Sequence, residues 1–128
     1  MLDTNTVSHL LKGQALVVRR VVAAPMASLC VSAITEGELR FGLAKRPDAK
    51  ALHRAVAQLL LRVDVLPWDG AVARRYGTVR ADMERQGKVL APLDMLIAAH
   101  ALDAGAVLVT NDRAFRQLAK LDVEDWTV

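Results

Sequence analysis

APLDMLIAAHALDAGAVLVT, residues 91–110, packs a helix, its stop and a strand into one continuous run. Pro92 suits the first turn of a helix, where the amide hydrogen it lacks would have no intrahelical partner. The helix is expected to reach Asp103, with Gly105 as its stop. AVLVT, residues 106–110, is apolar without alternation, as a strand buried on both faces of a parallel sheet must be. Working outward, the same alternation recurs. Upstream lie a long helix from Gly70 to Gln86, closed by Gly87, and a short strand in VDVLPW that Pro67 ends. Before them come a helix over Ala49–Arg62, a turn at KRPDAK (residues 45–50) and a helix over Thr35–Lys45. SLCVSAI, residues 28–34, reads as a strand, preceded by a helix from Ala15 to Ala24 that stops before Pro25. At the start, MLD is a short apolar strand leading into TNTVSHLLKG, where Val7, Leu10 and Leu11 have helical spacing and Gly13 is the stop. Downstream, a short helix begins at Asp112 and a strand stub lies near VEDW. Strands alternating with helices predict an α/β fold, helices flanking a mostly parallel central sheet, in one domain spanning 1–128. Sites in such sheets form beyond the carboxyl ends of the strands.

Composition narrows the class. Hydrophobic residues make up 53% of the 128 and aromatics only 4%, so the core must be built from Ala, Leu and Val. No apolar run approaches the roughly 20 residues needed to cross a bilayer, and a cytoplasmic protein with no membrane partner is expected. Cys30 is the only cysteine, which excludes an internal disulfide and a multi-cysteine zinc site. The net charge of +3 tolerates a polyanionic partner without requiring one.

The acidic residues say more than their sum. Asp3 ends the first strand, Glu38 follows the second, Asp94 opens a helix and Asp112 follows VLVT. With parallel strands, at least three of these positions share one edge of the sheet. Each has a plainer use: Thr35 and Glu38 read as a capping box, Asp94 and Asp112 favour the positive end of a helix, and Asp3 caps the first helix. Jointly, however, four converging carboxylates repel one another, and a divalent cation resolves that conflict. Oxygen donors with no clustered His or Cys suit magnesium or manganese rather than zinc.

In order along the chain, MLDTN (1–5), ITEGEL (34–39), LAPLDMLIAAHAL (90–102) and VLVTNDRAF (107–115) resemble the four acidic motifs of PIN-domain proteins, VapC-type toxins in particular. The closing VEDWTV (123–128) resembles that subgroup too. The resemblance implies a PIN-like fold and a magnesium- or manganese-dependent endoribonuclease, the toxin of a toxin-antitoxin system. Its partners would be an RNA substrate, with transfer RNA a candidate, a cognate VapB-like antitoxin and a second copy in a homodimer. Matched residue by residue, Asp3, Glu38, Asp94 and Asp112 become the catalytic and metal-binding acids, and Asn5 and Thr110 their supports. Related chains carry a few more apolar residues before LDTN, so either the start at Met1 is late or the first strand is short, and Asp3 is expected to be held less firmly. Glu36 and Glu38 lie about 200° apart on a helix, so only one can face the metal; Glu38 is the match and Glu36 a solvated first-turn acid.

The chemistry implied is phosphodiester hydrolysis by a metal-activated water, which needs no ribose 2′-hydroxyl and leaves a 5′-phosphate and a 3′-hydroxyl. His9, His53 and His100 are dispersed without a pairing motif and read as surface or packing residues. Among the basic residues, Arg113 and Arg116 flank Asp112 and are the best candidates for RNA contacts. Trp68 and Trp126 sit beside strand ends and read as core-edge residues. The apolar faces of the first two helices, with Val17, Val18, Val21 and Val22, are open to either the core or a partner. Two rivals remain. A haloacid-dehalogenase-type phosphatase would carry a second carboxylate two residues after Asp3, where this chain has Asn5. A non-cleaving binding module would have no need of all four acids.

Overall fold

The computed structural model describes residues 1–128. Six α-helices and four short strands follow in the order α1 (Thr4–Leu11), α2 (Ala15–Ala23), β1 (Cys30–Ser32), α3 (Ala33–Ala44), α4 (Lys50–Arg62), β2 (Asp64–Leu66), α5 (Gly70–Arg85), α6 (Pro92–Asp103), β3 (Leu108–Val109) and β4 (Val123–Glu124). Single 3₁₀ segments over Met26–Ser28 and Arg113–Gln117 complete the chain. β1 pairs in parallel with β2, and β3 in parallel with β4. Leu2 joins the two pairs: its N–H donates to the Cys30 carbonyl at 2.9 Å, and it bridges Val109 in the parallel sense. The spatial order is therefore β2, β1, Leu2, β3, β4, with the β1–β2, Leu2–Val109 and β3–β4 pairings parallel.

Two apolar clusters fill the spaces between sheet and helices. One gathers Met83, Met95, Ile97, Ala98, Ala101, Leu108 and Phe115; the other gathers Leu2, Val7, Val17, Leu29, Val31, Leu59, Val63, Val109 and Trp126. α6 is the best covered helix, with Met95 and every residue from Ile97 to Ala101 buried, because α5 and α3 pack against it. Small residues at Ala98, Ala99 and Ala101 allow that close approach. Helix ends are set as the sequence indicates at Gly13, Gly87 and Gly105, whose φ values of +76°, +68° and +61° are left-handed.

Several boundaries differ from the sequence reading. The β-branched run at 28–34 is a strand only over Cys30–Ser32; Ala33 and Ile34 are already helical, because the Ser32 hydroxyl caps α3 by accepting the Ile34 amide at 3.1 Å. α3 thus starts two residues before the expected Thr35, and the expected capping box of Thr35 and Glu38 does not form. The opening strand is one bridged residue, and AVLVT pairs only through Leu108 and Val109. The helix after Asp112 is 3₁₀, with Asp112 accepting the Ala114 amide at 2.9 Å.

Candidate active site

Asp3, Asp94 and Asp112 stand where a strand ends or a helix begins, and Glu38 lies in the second turn of α3. Asp3 follows the bridged Leu2 and caps α1, its Oδ1 accepting the Thr6 amide at 2.7 Å; only 3% of its surface is exposed. Its own amide donates to the Val109 carbonyl at 3.1 Å, and the Thr6 hydroxyl donates to the same carbonyl at 2.9 Å. The first turn of α1 is thereby fastened to the end of β3, and Asp3 is held firmly despite the brevity of its strand. Asp112 lies just beyond β3, its amide donating to the buried Thr110 hydroxyl at 3.0 Å. Glu38 projects from α3, where its Oε1 accepts the Thr4 hydroxyl at 2.7 Å. Thr4 Oγ1 also lies 3.3 Å from the fully buried Thr35 Oγ1, so that two hydroxyls fix the rotamer of one carboxylate. Asp94 occupies the first turn of α6, half-buried.

Electrostatics tie the four together. The Asp94 carboxyl is pushed above its ordinary value, first by burial and then by the negative charges of Asp112, Asp3 and Glu38. Those three acids arrive from three other segments of the chain, and their charges are felt at Asp94. The positive end of α6 favours the charged form of Asp94, and repulsion with burial outweighs it. No three of these side chains come together as a compact ligand set. An all-oxygen donor set of this kind fits a hard, well-hydrated ion that takes one or two carboxylates directly and reaches others through its waters.

Other sequence candidates fall on either side of this pocket. Thr110 orders the backbone that carries Asp112. Asn5 is exposed on α1 and makes no side-chain hydrogen bond to the acids; the neighbouring Thr4 and Thr6 make the contacts expected of it. The residue type was a weak guide there: a hydroxyl next to Asp3 was the available signal. Glu36 turns away and pairs with Arg40 at 2.6 Å. Arg113 and Arg116 are exposed on the 3₁₀ turn after Asp112, and Arg116, with His9, helps to hold the Asp125 carboxyl low, after the larger effect of the Thr127 hydrogen bonds. Trp68 donates its indole N–H to the Leu96 carbonyl at 3.0 Å, and Trp126 is buried with its N–H on Glu124 at 2.7 Å, both as core-edge residues. On α2, Val17 is wholly buried and Val22 is 78% exposed, which divides the valine face between core and surface.

The sequence matches the model of the PIN domain over residues 1–121. It is 34% identical over 128 residues to the tRNA(fMet)-specific endonuclease VapC of Shigella flexneri, covering 99% of this chain and 97% of that protein. It is 32% identical over 127 residues to Ribonuclease VapC2 of Haemophilus influenzae, covering 98% of this chain and 96% of that protein. Among solved structures, VapBC2 from Rickettsia felis bound to a DNA fragment from its promoter superposes with a TM-score of 0.90 at 26% identity, covering 98% of this chain and 97% of that one. VapBC-1 from nontypeable Haemophilus influenzae gives 0.88 at 33% identity, covering 100% and 98%. Parallel strands carrying acids at their carboxyl ends, and full-length likeness to these proteins, make this chain a member of the PIN-domain family, of the VapC type.

Proposed function

We propose that this chain is an endoribonuclease and the toxin of a VapBC-type toxin-antitoxin pair, hydrolysing RNA phosphodiesters with the help of magnesium or manganese. What supports the reading is the raised Asp94 carboxyl, which feels the negative charges of Asp112, Asp3 and Glu38 from three other segments of the chain. Relatives named as ribonucleases and solved neighbours titled as VapBC complexes support it.

Asp3, Glu38, Asp94 and Asp112 would hold the ion. When bound, it supplies a water acidic enough to attack phosphorus and positive charge to offset the pentacovalent phosphate. The chain's own part is to position and to exclude alternatives. Thr4 holds the Glu38 carboxylate through one oxygen, Thr6 keeps Asp3 at the start of α1, and Thr110 sets the approach of Asp112. Histidine acid-base chemistry has no place at these four residues, so the expected products are a 5′-phosphate and a 3′-hydroxyl. Arg113 and Arg116 lie on the 3₁₀ turn that begins at Asp112 and are the proposed contacts to RNA phosphates.

A VapB-like antitoxin is the proposed partner, and a homodimer the proposed assembly. The negative pocket that takes up a cation equally admits an arginine side chain from a partner, which gives inhibition a physical route. The test is cleavage of RNA by the purified protein with manganese, offering tRNA(fMet) first because the relatives from Shigella flexneri and Salmonella typhimurium are named for it. Cleavage is expected to stop on chelation and in Asp94→Asn; RNA left intact by the wild-type protein in manganese would overturn the proposal.

A further inference from the structure

Behind the acidic pocket, a second contact joins the two helices that carry Glu38 and Asp94. His100 Nδ1 and Ser32 Oγ lie 2.7 Å apart, and both residues are buried, at 2% and 0% exposure. Ser32 is the cap of α3 and lies six residues before Glu38; His100 lies on α6, six residues after Asp94. Six helical residues span about 9 Å. The contact is therefore remote from the acids, yet it fixes the start of one acid-bearing helix against the body of the other. An imidazole in a core of alanines is otherwise a poor choice, since an apolar side chain would fill the space without a polar atom to satisfy.

The hydrogen bond has a preferred sense. Ser32 Oγ already accepts the Ile34 amide, which leaves its own hydrogen without any acceptor except His100 Nδ1. The serine then donates and the imidazole accepts, which requires the neutral ring. Protonation would turn Nδ1 into a donor and leave the serine hydrogen stranded in the core. The charged groups facing the ring are Asp103 on its own helix and Asp69 at the cap of α5; both favour the imidazolium, and burial outweighs them.

We infer that Ser32 and His100 form a positioning pair that sets the spacing of Glu38 and Asp94, and that this spacing governs how well the pocket takes up its divalent ion. The inference rests on the metal-nuclease reading above. Geometry of this sort matters because a displacement of about 1 Å at a reacting site costs on the order of 100-fold in rate.

The experiment is manganese titration by calorimetry on the full chain, with thermal melts and RNA cleavage run alongside. The variants are His100→Leu, His100→Asn, Ser32→Ala and the double variant Ser32→Ala/His100→Leu. Asparagine can present an oxygen near the position of Nδ1 and does not titrate. His100→Leu and Ser32→Ala are each expected to weaken manganese binding about tenfold and to lower kcat with KM for RNA unchanged. The double variant should be no weaker than either single one, the sign of a shared contact. His100→Asn should bind manganese within about threefold of the wild type and should be less sensitive than it to a fall in pH below 6.5, the ordinary histidine value. Manganese affinities in folded His100→Leu and Ser32→Ala equal to wild type would overturn the inference, as would additive losses in the double variant. If His100→Leu does not fold, the pH response of His100→Asn decides alone: one parallel to the wild type overturns the pair's role. A wild-type protein that neither binds manganese nor cleaves RNA sinks the nuclease reading itself, and this inference with it.

Discussion

Asp94 bears two opposite demands, since the charge that would attract a cation also repels Asp3, Glu38 and Asp112. Neutralising it should therefore separate stability from activity. In chelator at neutral pH, Asp94→Asn is expected to melt a few degrees above the wild type, while its cleavage rate with manganese falls by about 100-fold or more. Calorimetric melts and single-turnover cleavage read the two effects; a variant that melts lower would mean that Asp94 makes favourable contacts which outweigh the repulsion. Thr4 acts through Glu38. Thr4→Val should cost about 1 kcal/mol in urea unfolding and lower the cleavage rate about tenfold, because the freed carboxylate samples other rotamers. Unchanged cleavage would reduce Thr4 to a bystander. At this scale the places of Asp3 and Asp112 in the fold were legible in the sequence, and the side chains that contact the acids only partly so. Asp3 and Asp112 stand out because strand ends and helix caps have local signatures, and Thr110 lies beside the acid it serves. Thr4 reaches Glu38 across 34 positions of sequence, a pairing that no local rule contains.

Helices were easier to read than strands, and the reason is physical. α6 begins at Pro92, ends at Asp103 and is followed by Gly105 in the left-handed conformation, so both of its boundaries are fixed by backbone chemistry carried in single residues. β3 is bounded by nothing of the kind. Its pairing ends after Val109 because β4 offers only Val123 and Glu124, a limit imposed by a distant segment. The start of α3 was misplaced for a related reason: Ser32 and Thr35 are both competent caps, and it is the Ser32 hydroxyl, held beside α6 by His100, that accepts the Ile34 amide. Gly105 gives a test at this scale. Gly105→Ala places a Cβ in open space, so no steric clash accompanies it, and the cost is conformational alone. A loss of about 1–2 kcal/mol is expected in urea unfolding, with little change in cleavage per folded molecule. A loss of zero would mean that the α6–β3 turn relaxes to negative φ.

The molecule as a whole should respond to pH according to its crowded carboxyl. Asp94 is protonated more readily in the folded chain than at its ordinary 3.8. From that value up to the raised one, the folded state binds more protons than the unfolded state, so this group's contribution to stability declines as pH rises across the window. With chelator, the stability difference between Asp94→Asn and wild type should widen through that window and then level off. Manganese at about 100 times its dissociation constant should add about 2.7 kcal/mol at neutral pH. The addition should shrink as the solution is acidified, because protons and metal compete for the same oxygens. A pH-independent gain would place the ion elsewhere.

Leu2 lies between Cys30 and Val109, so one of its two neighbours is separated from it by most of the sequence. A chain still emerging from the ribosome has nothing to lay against that side until about residue 109 is free, and Asp112 arrives later still. A fold wired in this order closes its sheet late, and the acid at position 112 joins the other three only once that closure is under way.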